Sequence, residues 1–266
     1  MKGYLRIFLL NLQGQMAYRF GIFISMAVYI FRDIAKICIW MAVYNSNPVS
    51  SFRPGGYSLG EMITFFVVFS LVYEVGWCSV NNYVVPPDIQ QGTLSRHLVK
   101  PYRYDFLVFF SWTGGMLPRV MSSVLCFSIL LFLFRSHIKL TLTPSVLILF
   151  LLSLVLSYLL RFIVNFNLGL TAFWIEGRPV ILTLLKEVFQ GYYFPLALLP
   201  AALFLVLKWT PLYYMLIFSI DILQGRIDTA ETVVGLCMQA VWILVMYGCS
   251  RMIWTMGIKK YRAYGG

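Results

Sequence analysis

The stretch TPSVLILFLLSLVLSYLLRFIVNF, residues 143–166, carries a single charged side chain, Arg161. A helix rises about 1.5 Å per residue, so this run is long enough to cross a hydrocarbon core roughly 30 Å thick. Comparable runs recur along the chain. Six transmembrane helices are expected, at 18–44, 61–82, 106–134, 143–175, 179–195 and 229–256. The whole chain is 60% hydrophobic and 12% charged, against about a quarter charged in a soluble domain. It cannot cover a globule of its size with polar surface. The fold class is an all-α integral membrane protein.

The formal net charge is +11, which fits the positive-inside bias of membrane proteins. Nucleic-acid binding would need a basic patch with stacking aromatics on a soluble face. Here the aromatics lie within the apolar runs, and no nucleic-acid partner is expected. With the N-terminus in the cytoplasm, eleven basic residues fall on the cytoplasmic side, among them Arg6, Arg96, Lys100, Arg103, Arg178, Lys259, Lys260 and Arg262. Five fall opposite: Arg53, Arg135, Lys139, Lys208 and Arg226. This asymmetry favours both termini inside. The five cysteines, Cys38, Cys78, Cys126, Cys237 and Cys249, sit inside apolar runs. They read as buried packing residues rather than as disulfides or metal ligands. No signal-peptide cleavage pattern precedes the first run, and the N-terminus is expected to be retained.

Two segments depart from the simple span pattern. Residues 1–17 place Tyr4, Phe8, Leu9 and Leu12 near one helical face, with Lys2, Arg6 and Gln13 elsewhere. They are expected to form an amphipathic helix in the headgroup layer, with the membrane domain following over 18–266. The block 179–224 contains Gly191, Pro195, Pro200 and Pro211. Proline removes a helical hydrogen bond and clashes with the preceding turn, and freed backbone at membrane depth needs protein or a wet cavity to satisfy it. The fifth span is therefore expected to end by Gly191 to Pro195. Re-entrant segments over 196–224 follow, with Trp209, Tyr213 and Tyr214 at the interface.

The sequence carries no catalytic constellation. The two histidines, His97 and His137, lie on opposite sides of the membrane in this topology. There is no HExxH or other metal-ligand spacing, no GxSxG and no GxxxxGK[ST] phosphate loop. Neither a catalytic residue nor a metal or cofactor site is assigned. ATP-driven movement would require a nucleotide-binding partner. Charges inside the spans are the functional pointers: Arg32, Asp33 and Lys36 in the first, Glu74 in the second, Arg119 in the third, Arg161 with Asn165 and Asn167 in the fourth, and Lys186 with Glu187 in the fifth. Asp33 and Lys36, at i,i+3, are expected to pair on one helix face. The set reads either as a polar pathway or as local ion pairing and contact with headgroups or a second subunit. A carrier driven by an ion gradient would use Glu74 as its relay, although no second carboxylate stands in register with it. A purely structural membrane protein is a third reading.

The longest polar gap, VVPPDIQQGTLSRHLVKPYRYDF (84–106), is read as a compact unit. Pro86 and Pro87 stop the second span, and Asp88 caps a turn over Ile89 to Gln91. Gly92 takes the left-handed closing position. Thr93 caps a short helix carrying Leu94, Leu98 and Val99 on one side, which stops before Pro101. Such a unit is either a loop resting on headgroups or a docking element for a cytoplasmic partner.

In order, AYRFGIFISM with its basic N-terminal segment, GYSLGEMITFFVVFSLV, IQQGTLSRHLVKPYRYDF, NFNLGLTAFWIEG and the tail IWTMGIKKYRAYGG resemble the ABC-2-type transporter permeases, in their compact branch. The resemblance covers essentially the whole chain. It implies six transmembrane helices, an N-terminal interfacial helix and re-entrant helices between spans 5 and 6. It also implies a permease subunit of an ATP-binding cassette exporter in the bacterial inner membrane. Two ATPase subunits carrying ATP and Mg would pair with this chain and a second permease, identical or paralogous. Segment 86–101 would contain the coupling helix, with Ile89, Leu94, Arg96 and Leu98 docking on the ATPase. Exported substrates in the family include lipids, polysaccharides, drugs and natural products.

Overall fold

A computed structural model describes residues 2–17, 19–47, 52–140 and 142–261. Among the described residues the protein is helical, without strands. The long helices are α1 (Lys2–Ala17), α2 (Arg19–Ser46), α3 (Leu59–Val75), α7 (Tyr104–Leu133), α8 (Pro144–Leu170) and α13 (Thr229–Lys260). Between them lie α4 (Val80–Tyr83), α5 (Val85–Gln90), α6 (Leu94–Leu98), α9 (Val180–Phe189), α10 (Ala201–Lys208), α11 (Pro211–Tyr214) and α12 (Ile217–Gln224). The final residues of the tail motif, 262–266, lie outside the described residues.

The helix starts follow local chemistry. Ser58 and Glu61 form a reciprocal capping box at α3, with the Ser58 amide donating to Glu61 Oε2 at 2.7 Å. Thr143 caps α8 ahead of Pro144. Asp228 accepts from the Glu231 amide at 2.7 Å to start α13, and Lys259 and Lys260 occupy its last turn, where they complement the helix dipole.

Among the described residues three segments are long and apolar enough to cross a membrane: Tyr104–Leu133, Pro144–Phe173 and Thr229–Lys260. A fourth arises if Leu59–Val75 and Val80–Gln90, bent by 47° at their break, act as one span. α2 has the length but carries Arg32, Asp33 and Lys36 in its middle. The expected fifth span differs more. Its helix α9 has 10 residues, about 15 Å, and closes at Gly191, whose φ is +87°. Half the hydrocarbon thickness is all this helix can cover alone.

α3 is apolar all round and accordingly central. Met62, Ile63, Phe65, Phe66 and Phe69 are fully buried, packed with Leu216, Ile217 and Ile220 from the broken segment. Tyr213 and Tyr214, expected at an interface, are buried in this core instead, and only Trp209 is exposed. The reason is the fold of α11 and α12, which pack against α8, α13 and α3 rather than lying outside them. Cys38 and Cys237 are likewise exposed rather than buried.

α1 packs along α7. The Tyr4 ring stacks on Phe110 with centroids 5.4 Å apart, and its hydroxyl accepts from the Arg103 amide at 3.0 Å. Leu9, expected on the same face as Tyr4 and Phe8, points outward with Leu5 and Leu10. The two helices come close at Gly114, where a Cβ would stand 2.9 Å from the Phe8 carbonyl carbon.

Candidate functional site

Segment 84–106 folds as a compact unit, with connections that differ from the sequence expectation. Pro86 and Pro87 lie in the first turn of α5, where a missing N–H costs nothing. Asp88 sits inside α5 and acts as a hub rather than a cap. Its Oδ1 accepts from Thr93 Oγ1 at 2.8 Å, and its Oδ2 accepts from Tyr104 Oη at 2.7 Å. The Thr93 hydroxyl is thereby taken away from capping α6. Gly92 adopts φ +75°, the left-handed turn between α5 and α6.

Three tethers fix the unit to different parts of the fold. Tyr104, at the start of α7, holds Asp88. Gln90 Nε2 donates to the carbonyls of Ile175 and Gly177, beyond α8, at 3.1 and 2.9 Å. Beyond α13, Tyr261 Oη donates to the Gly92 carbonyl at 2.8 Å and accepts from the Ser95 amide at 3.1 Å. Ile89 and Leu94 are buried in an apolar cluster with Tyr104, Val108, Phe166 and Phe173. Both therefore anchor the unit and cannot reach a partner. Of the four residues expected to dock, only Arg96 and Leu98 face outward, joined by Val99 at 85% exposure and Lys100.

The intramembrane charges separate into two clusters. In the first, the Arg32 guanidinium takes Asp33 through two bonds at 2.8 and 2.9 Å and Glu74 Oε1 at 3.1 Å. Arg119 lies 3.6 Å from Glu74 Oε2, donates to Tyr29 Oη at 2.7 Å and rests 3.9 Å from the centre of the Trp77 ring system. The expected Asp33–Lys36 pair does not form. A guanidinium fork matches two carboxylates better than an ammonium, so Arg32 claims Asp33. Lys36 Nζ instead donates to the Tyr192 carbonyl at 3.0 Å, between the faces of Phe69 and Tyr192.

The second cluster satisfies broken backbone. α11 and α12 are joined through Leu216, whose φ of −145° and ψ of −63° interrupt the helix. The freed Met215 carbonyl accepts from Arg161 Nε at 2.6 Å and Ser157 Oγ at 2.5 Å. The Tyr214 carbonyl accepts from Gln239 Nε2 at 2.9 Å. Arg161 Nη1 also reaches the Tyr73 carbonyl at 3.1 Å, near the end of α3. From Asn165 the network continues to Lys186 Nζ at 2.8 Å, and from Lys186 to Glu187 at 3.1 Å. Asn167 instead bonds the Met246 carbonyl and Ser250 of α13. Gln239, Ser157 and Asn81, which donates to Thr183 at 2.8 Å, escaped the sequence reading. They carry no charge, and a lone polar residue in an apolar run is a weak signal until a broken helix is placed beside it.

The profile of the family described as ABC-2 family transporter protein matches residues 30–265. The chain belongs to that family: it is the membrane component, or permease, of an ABC transporter. The match includes the tethered unit and the charged residues of both polar clusters; α1 and the start of α2, through Tyr29, lie outside it. No curated protein matches the chain.

Proposed function

We propose that the chain is the permease subunit of an ATP-driven exporter and that the unit of α5 and α6 docks on a separate ATPase subunit carrying ATP and Mg. The observation that carries this reading is the triple tether. A short segment bound to the ends of α7 and α13 and to the chain beyond α8 can pass a displacement to three long helices together. Its outward face, Arg96, Leu98, Val99 and Lys100, combines an apolar knob with positive charge and suits a groove with an acidic rim. In this reading the chain makes six crossings, with α2 first and α9 the core of a short fifth. α10 to α12 form the re-entrant part, and both termini face the cytoplasm of a bacterial inner membrane. A second permease, identical or paralogous, and two ATPase subunits complete the transporter.

The ion-gradient alternative loses ground to the family membership. Its relay, Glu74, is also engaged by Arg32 and Arg119, so it already serves as a structural link between α2, α3 and α7.

The double substitution L98D/V99D tests the docking role. It leaves the buried anchors Ile89 and Leu94 untouched. The ATPase is expected to be lost from the tagged permease in mild-detergent co-purification, while the permease itself keeps its yield. Full retention of the ATPase together with transport would remove the docking assignment. A second variant, Tyr261→Phe, deletes the hydroxyl that joins α13 to Gly92 and Ser95. Each lost hydrogen bond is worth about 1 kcal/mol, so folding should survive. ATPase binding should persist while transport per ATP hydrolysed falls, measured in reconstituted vesicles.

A further inference from the structure

A partly open cavity of about 530 Å³ lies between α1, α2, α7 and the α4 region, within the size range of small-molecule sites. Its wall includes Tyr29, Trp77, Trp112 and Arg119, with Gln15 and Ser111 adding polar groups. The aromatic surfaces suit apolar atoms, and the few polar groups suit a single polar head.

Charge decides which head. The first ion cluster holds three cations, Arg32, Lys36 and Arg119, and two carboxylates, Asp33 and Glu74. Lys36 is held by a carbonyl and two aromatic faces and forms an ion pair with neither carboxylate. Arg32 takes Asp33 and the nearer contact to Glu74. Arg119 is left with a carboxylate oxygen at 3.6 Å, beyond a good charge-assisted bond. An excess positive charge inside a membrane span is costly and seeks a counter-charge. Arg119 lines the cavity with a quarter of its side chain accessible, so a ligand there can supply one. Along the same helices Phe23 and Ile24 of α2 and Met121 of α7 are apolar and more than half exposed, giving an alkyl chain a surface to follow.

We propose that this cavity binds an anionic amphiphile, with its phosphate or carboxylate on Arg119 and its apolar part against Trp77 and Trp112 and out along α2 and α7. The site lies within one chain and does not depend on the ATPase assignment.

Tryptophan quenching tests it directly. The full-length protein in detergent is titrated with dibrominated phosphatidylglycerol or dibrominated phosphatidylcholine. The anionic lipid is expected to quench at about tenfold lower concentration, as one charge-assisted contact provides. W77F/W112F should remove that quenching component, and R119Q should remove the preference. Gln15→Leu leaves the ion cluster intact and should weaken the anionic lipid about threefold. Equal half-quench concentrations for the two lipids, or a preference that survives R119Q, overturn the proposal. Should circular dichroism show R119Q unfolded, Q15L decides, and an unchanged half-quench concentration is then the overturning result. Inorganic phosphate separates the sources. If it abolishes the preference at lipid-equivalent concentration the site takes a free anion and the amphiphile assignment fails; if the preference persists, the headgroup is bound as part of its lipid.

Discussion

Glu74→Gln is expected to destabilise the protein by about 3 kcal/mol, because it breaks a buried ion pair by removing one partner. Glu74 is 3% exposed and stands between Arg32 and Arg119, which come from different helices. Neutralising it leaves both guanidiniums in a low-dielectric region with only Asp33 as an anion. Thermal unfolding in mild detergent, followed by intrinsic fluorescence, reads the effect. Arg119→Met in the same background should recover part of the loss, since it removes the cation left over. The double-mutant cycle isolates that coupling. A Glu74→Gln protein that melts with the wild type would mean the carboxylate is already neutral or dispensable. The ion-pair account of α2, α3 and α7 would then fail.

Gly114→Leu is expected to lift α1 from α7. The Phe8 backbone sits against Gly114, and a backbone carbonyl cannot swing aside as a side-chain tip can. Overpacking of this kind costs about 1–3 kcal/mol. All of it falls on one docked helix, and the open population rises accordingly. Trypsin cleavage at the exposed Arg6 reports that population when opening is fast, and a rate increase of about thirtyfold corresponds to the middle of that range. Gly14→Ala is the matched control. A Cβ there meets nothing within 4 Å, and alanine improves helix propensity, so cleavage should be unchanged or slower. Equal cleavage of the Gly114→Leu and wild-type proteins would show that α1 does not depend on this contact.

The turn at Gly92 was legible because its signal is local: a left-handed glycine closes one turn without help from the rest of the fold. The side-chain partners of the candidate site were less legible. Spacing paired Asp33 with Lys36, but Arg32 reaches across to Glu74 on α3 and takes Asp33 on the way. Asp88 and Thr93 fit a capping pattern, yet Tyr104 and Tyr261 decide how the loop is held. The family resemblance put Ile89, Leu94 and Leu98, with Arg96, in one docking set. Tertiary packing turned the first two inward and left the third outside.

Continuous apolar length, scarce charge and the order of its motifs determined from sequence alone that this is a helical membrane protein of the ABC-2 family. Those properties are additive along the chain and need no partner to act. The tertiary structure decided what the polar residues inside the apolar runs are for. The backbone breaks at Leu216 between α11 and α12, and the carbonyls freed there must be satisfied out of reach of water. Only the packing of α8 and α13 beside that break shows Arg161, Ser157 and Gln239 supplying the donors. Only the packing of α2, α3 and α7 shows Arg119 left short of a counter-charge.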